Sequence, residues 1–271
     1  MVTPITTNES GFGLRLHDLR QARRMTQLEL AMEAQVSQRH LSFLEKGRSH
    51  PSRAMVLILA DALHLPFRER NELLLAAGYA PLYEECALTA PEMAQVKRAL
   101  NFILEKQEPY PAVVLDRYWN LLMSNRAAER FFGMMIEPSS LPAPPNLIRL
   151  MFDPDRLKPF VRNWPAVARN LIDRLHREAV GGMLDARSQS LLGEIEALTG
   201  SLTLSRQEPG EPAAPFLPVE FQVGEDLYSY FSAVTSLGGP HEVTAQELRI
   251  ECFFPADQAT EQAAKRLSEG G

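Results

Sequence analysis

The residues whose types and spacing point most directly to chemistry lie in TQLELAMEAQVSQRHLSFLEKG, residues 26–47. Thr26 followed three residues later by Glu29 is a capping box, which predicts a helix starting at Gln27. Leu30 and Ala31 face inward, and Ala31 is small enough for a following helix to cross closely. Residues 34–36 form a turn, and Ser37 caps the next helix. Leu41 and Leu44, one turn apart, pin that helix to a core and leave Gln38, Arg39, Ser42 and Phe43 outside. Glutamine can pair in bidentate fashion with adenine, arginine with guanine, and an exposed phenylalanine can touch a thymine methyl. The competing reading is a polar face on an ordinary helical bundle. The whole series of cap, small residue, turn, Ser cap, leucine pair and Glu45-Lys46-Gly47 favours contact with a nucleic acid.

The elements that must position this face occupy residues 12–77, which are dense in helical periodicity with short breaks. The chain has 271 residues, which at roughly 100–200 residues per domain predicts two domains. Its net charge of −6 is unfavourable for nucleic acid, but the distribution is uneven. Residues 1–80 carry ten Lys and Arg against eight Asp and Glu; residues 81–271 carry eighteen against twenty-six. A mildly basic head on an acidic body fits a DNA-contacting module. The start MVTPITTNES has no basic or apolar segment of a signal peptide, no apolar run approaches a membrane span, and Cys86 and Cys252 suggest no disulfide framework. The expectation is a cytoplasmic protein that does not engage a membrane.

Beyond residue 80 the character changes. PEMAQVKRALNFILEKQ (91–107) has helical spacing, either as a connector or as the first helix of a second domain. AVVLDRYWNLLMSN (112–125) predicts a hairpin turning at Asp116-Arg117, and RAAERFFG (126–133) a short helix. A proline-rich loop covers 136–146. Residues 157–175 predict an amphipathic helical stretch broken or kinked at Pro165, and 186–199 another helix. A second loop carries Pro209, Pro212, Pro215 and Pro218. Three strand-like runs follow at 219–224, 227–237 and 248–254. In the last, Leu248, Ile250, Cys252 and Phe254 alternate with Arg249, Glu251 and Phe253, which predicts one buried face. Residues from about 258 read as polar and frayed. The expected organisation is residues 1–80 as an all-α head, 81–107 as a connector helix and 108–271 as an α+β domain.

The segment 12–77 resembles the XRE family of lambda-repressor-like helix-turn-helix proteins, through its Thr-Gln…Leu-Ala…Val-Ser…Leu-Ser…Leu-Glu-Lys-Gly series. The resemblance implies a five-helix head that binds double-stranded DNA as a homodimer. It implies that Gln27 meets a phosphate, that Ser37, Gln38, Arg39, His40 and Phe43 lie in or beside the major groove, and that Lys46 and Arg48 contact phosphates. Arg53 would sit near phosphate or the minor groove. Arg20 and Glu45 match positions that form a buried ion pair in the family, the alternative being two separate surface charges. One departure is Gln35, at a turn position often filled by glycine. A left-handed backbone there would cost about 1 kcal/mol.

Residues 106–258 resemble the MmyB-like ligand-binding domain, through PAVVLDRYWNLLMSNRAAERFFG, NLIRLMFDP and NWPAVARNLIDRLHREA. The resemblance implies a PAS-like sheet under helices and an apolar cavity for a fatty-acid-like molecule. Trp119, Met123, Phe132, Phe160 and Trp164 are bulky residues able to line such a cavity or simply to fill a core. Arg117, Arg126, Arg149, Arg162 and Arg169 could anchor a carboxylate, with nothing to choose among them. HEVTA (241–245) lacks the second histidine of a zinc-binding motif, and no nucleophile elbow, P-loop or dinucleotide fingerprint occurs, so neither an enzyme nor a metal or cofactor protein is expected. The expected function is operator binding modulated by a small apolar effector. The alternative is a DNA-tethered module whose second domain recruits a protein.

Overall fold

The computed structural model describes residues 9–181, 186–199 and 216–269. The reading of the extreme N-terminus and of Pro209, Pro212 and Pro215 falls outside the described residues. The chain divides into two compact units. The first is built on residues up to Glu85 and takes in residues 241–246; the second begins at Cys86.

The first unit has the expected five helices: α1 (Glu9–Ala22), α2 (Gln27–Glu33), α3 (Gln38–Glu45), α4 (Arg53–Ala62) and α5 (Phe67–Ala76). Side-chain oxygens of Thr26, Ser37 and Ser52 accept from backbone N–H groups of the first turns of α2, α3 and α4, which sets where each begins. Leu16, Leu19, Leu30, Leu41, Leu44 and Leu59 are completely buried in one core. Gly13 lets α1 cross the end of α3 closely: a Cβ there would lie 2.5 Å from the Glu45 carbonyl oxygen. Residues 241–246 join this unit through the Val243 N–H, which donates to the Glu84 carbonyl (2.9 Å), and Gln246 Oε1, which accepts from the Phe67 N–H (2.7 Å).

The second unit opens with α6 (Ala94–Gln107) and continues β1 (Ala112–Leu115), β2 (Leu121–Ser124), α7 (Arg126–Gly133), α8 (Leu147–Phe152), α9 (Trp164–Gly181) and α10 (Ala186–Thr199). After them come β3 (Val219–Val223), β4 (Asp226–Thr235), β5 (Arg249–Pro255) and α12 (Gln258–Glu269); α11 (Val243–Glu247), between β4 and β5 in the chain, belongs to the first unit through residue 246. The five strands form one antiparallel sheet in the order β2-β1-β5-β4-β3, a PAS-like α+β arrangement. The expected hairpin is β1–β2. Asp116 Oδ1 accepts from the Tyr118 and Asn120 N–H groups (2.8 and 2.9 Å), an Asx turn that holds Trp119 at φ +66° and buries its ring.

Three readings change and one is narrowed. The helix at 91–107 is part of the second unit, because Leu100 and Leu104 are buried and Asn125 Nδ2 donates to the Leu104 carbonyl (3.3 Å). The stretch at 157–175 is broken beside Pro165 and not kinked: a 3-10 turn at Lys158–Phe160 precedes α9, which starts at Trp164, and proline in a first turn lacks only an N–H that has no helical acceptor. Residues 258–269 are not frayed. Asp257 caps α12 by accepting from the Thr260 N–H (2.7 Å), and Thr260, Ala263 and Ala264 form a small buried stripe on it. Strand β5 is covered on both faces, so Glu251 and Phe253 are buried along with Leu248 and Ile250.

Candidate nucleic-acid interface and ligand cavity

In the first unit the helix-turn-helix is α2, the turn at 34–36 and α3. Gln35 adopts φ +54°, the left-handed conformation that glycine would take without strain. Leu41 and Leu44 anchor the inner face of α3. Ser37, Gln38 and Arg39 are exposed at its N-terminal end, with His40 and Phe43 half-buried beside them. The Arg39 guanidinium lies 5.4 Å from the centre of the Phe43 ring, so these two outward residues form one stacked pair. Lys46 and Arg48 follow α3, and Arg53 is the first residue of α4; all three are exposed.

Four arginines of this unit are held in ion pairs. Arg15 pairs with Glu72, Arg20 with Glu45, Arg68 with Glu85 and Arg70 with Asp61. Among the described residues, Arg39, Lys46, Arg48 and Arg53 make no ion pair. Exposed cations on α3, just after it and at the start of α4 are able to neutralise a polyphosphate backbone.

The expected Arg20–Glu45 pair is present and buried, with side chains 5% and 3% exposed. Arg20 Nε donates to Glu45 Oε1 (2.6 Å), Nη2 to Oε2 (2.9 Å), and Nη1 to the Met25 carbonyl (2.8 Å). Burial pushes the Glu45 carboxyl up, but hydrogen bonds from Arg20, Gln27 and His17 and the Arg20 charge outweigh it and hold the group below the ordinary carboxylate range. The hydrogen bond to Glu45 in turn raises Arg20. Gln27, read as a phosphate contact, here donates its Nε2 to Glu45 Oε2 (2.8 Å), so its side chain ties the start of α2 to the end of α3.

The second unit contains two cavities against its sheet. The first, about 80 Å³, has a polar end. There Glu251 on β5 accepts from Ser232 Oγ (2.6 Å) and faces Arg174 Nη1 at 3.4 Å. Arg174 also lies 4.1 Å over the Trp119 ring. Tyr230 lines the same cavity, and burial drives its hydroxyl far above the usual range. The second cavity, about 190 Å³, is walled chiefly by Leu121, Ala128, Ile136, Leu141, Leu150 and Leu157.

Of the residues singled out for a ligand, Trp119 lines the first cavity and Phe132 lines both. Met123, Phe160 and Trp164 line neither; Met123 pairs with Val114 across the hairpin, and Trp164 packs edge-on against Phe152. Arg117 and Arg149 are engaged with Glu247 and Glu194. The polar end instead belongs to Arg174, Ser232 and Glu251. The charged Glu251, set between apolar Ile250 and Cys252 in β5, was the one sequence signal for it.

Comparison with known proteins accords with this geometry. Residues 12–73 match a family model described as a helix-turn-helix domain, and residues 96–267 match one described as the MmyB-like transcription regulator ligand binding domain. A search of curated proteins returns no significant match. Among solved structures, the restriction-modification controller protein C.AhdI from Aeromonas hydrophila is 32% identical over 23% of this chain and 96% of its own (TM-score 0.23). The clp gene regulator ClgR from C. glutamicum is 28% identical over 28% of this chain and 92% of its own (TM-score 0.24). Among the described residues no helix is long and apolar enough to cross a membrane. The chain belongs to the MmyB-like transcription regulators, as a DNA-binding protein with an XRE-type helix-turn-helix head and an MmyB-like ligand-binding domain.

Proposed function

We propose that the protein is a one-component, cytoplasmic regulator that works by binding and not by catalysis. A homodimer binds a pseudo-palindromic operator with half-sites about one helical turn (~34 Å) apart. Ser37, Gln38, Arg39, His40 and Phe43 face the major groove, Lys46, Arg48 and Arg53 the phosphates, and the backbone end of α2 at Gln27 a further phosphate. The observation that carries this reading is that Arg39 on α3, Lys46 and Arg48 just after it and Arg53 at the start of α4 are exposed and make no ion pair among the described residues, while four other arginines of the unit are held in ion pairs.

The effector is a small apolar, fatty-acid-like molecule held in the second unit. An effector changes operator affinity only by its differential affinity for the competent and incompetent states. The test is operator binding by protein as purified and after delipidation, with mass spectrometry of the extract. A co-purifying aliphatic molecule whose removal changes operator affinity supports the reading. An empty domain with unchanged binding supports a protein-recruiting module instead.

A further inference from the structure

Two residues, Phe132 and Leu147, line both cavities of the second unit, so they form the wall between them. The two sides of that wall differ in chemistry. One holds the Arg174–Glu251–Ser232 cluster, the other is walled almost wholly by aliphatic side chains. Drug-sized ligands occupy pockets of roughly 300 Å³ or more, and neither cavity, at about 80 and about 190 Å³, reaches that size alone. Joined, at about 270 Å³, they come close to it. A 190 Å³ apolar cavity is also comparable to the roughly 150 Å³ engineered ones that stay dry and take up benzene.

Phe132 is built differently from its neighbour Phe131. Phe131 is fully buried and meets four rings edge-on at 5.2–5.4 Å. Phe132 is half-buried; apart from the 5.3 Å contact it shares with Phe131, its ring contacts, with Phe221 and Phe253, are looser, at 6.3 and 6.0 Å. A ring with empty space on two sides lacks the partner atoms that fix a core side chain. It is also the penultimate residue of α7, followed by Gly133, where even an added Cβ would meet nothing within 4 Å.

We propose that Phe132 is a swinging partition that sets the chain length of the ligand. The ligand is a straight-chain aliphatic amphiphile. Its polar head sits at the Arg174–Glu251–Ser232 end, and its tail enters the aliphatic chamber when the Phe132 ring turns aside. This rests on the ligand-binding reading above.

The test uses the delipidated full-length protein and two probes, hexan-1-ol and decan-1-ol, with affinities measured by equilibrium dialysis. Uncharged heads suit a chamber in which Arg174 already faces Glu251. Each methylene that finds apolar room raises affinity about fourfold. In Phe132→Ala the preference for decanol over hexanol should rise at least about tenfold over the wild type, and in Phe132→Trp it should fall by a similar factor. Thermal unfolding establishes that each variant is folded, and Phe132→Leu, which removes the ring but keeps a buried aliphatic group, replaces Phe132→Ala if that one is not. A preference unchanged in both directions overturns the partition while leaving ligand binding intact. Binding of neither alcohol by any variant overturns the ligand-binding reading itself, and the partition with it.

Discussion

Replacing Glu45 by alanine removes the carboxylate that joins the ends of α1, α2 and α3. It leaves the buried Arg20 guanidinium with the Met25 carbonyl and His17 Nδ1 as partners but without a counter-charge, and it strands the Gln27 amide. Deleting one member of a buried ion pair costs about 3–5 kcal/mol, most of it the burden of the uncompensated charge. In a unit of this size each kcal/mol lowers the melting temperature by roughly 4–8 °C, so Glu45→Ala should lower the transition of the head by more than ~12 °C. Urea unfolding of the full chain, followed by helical circular dichroism, reads the loss as a shift in midpoint. Arg20→Met combined with Glu45→Leu should recover most of it, since apolar replacement of a whole buried pair is often neutral or stabilising. Operator binding should vanish in the single variant at temperatures where its head is unfolded, and return in the double. A loss below about 1 kcal/mol, or a double variant no better than the single, refutes the argument that the pair holds the head together. Acid gives the same test without mutation. Glu45 is held below its ordinary pKa, so its contribution is complete above about pH 4.3 and is lost as pH falls through the lower folded-state value.

Two further outcomes follow from the head. Gln35→Gly relieves a left-handed backbone at φ +54° and should stabilise the head by about 1 kcal/mol in the same urea experiment, with operator affinity unchanged. Lys46→Ala should weaken binding to all DNA sequences alike and reduce the slope of log affinity against log salt by about 1; sequence-selective loss would make Lys46 a base contact instead.

The head was legible in the sequence because its signals are local. Thr26 with Glu29, Ser37 and the Leu41/Leu44 pair each act within one turn of helix, and the structure puts a cap or a buried side chain at each. Gln35 was readable through the family resemblance, which puts glycine at that turn position, whereas Arg24 and His64, also at positive φ in this unit, carried no such signal. The second unit was legible in outline, its hairpin and three later strands following from alternation. Its errors share a cause. Strand β5 lies between β1 and β4, and layers on both sides bury both of its faces, so a two-face pattern misassigned Glu251. Helix α12 buries only Thr260, Ala263 and Ala264, residues too small to register as an apolar stripe. The cavity cluster joins residues 174, 232 and 251, brought together by sheet register and helix packing that no local pattern encodes.

The central claim is that the outer face of α3 reads base edges. Operator sequences selected by the wild-type protein and by Arg39→Ala from the same random DNA pool test it most directly. The account predicts that Arg39→Ala binds the selected operator ~1–3 kcal/mol more weakly and loses preference at one base pair of each half-site, keeping it elsewhere. An unchanged base preference with equal weakening on every sequence would make Arg39 a phosphate contact and contradict the assignment of this face as the reader.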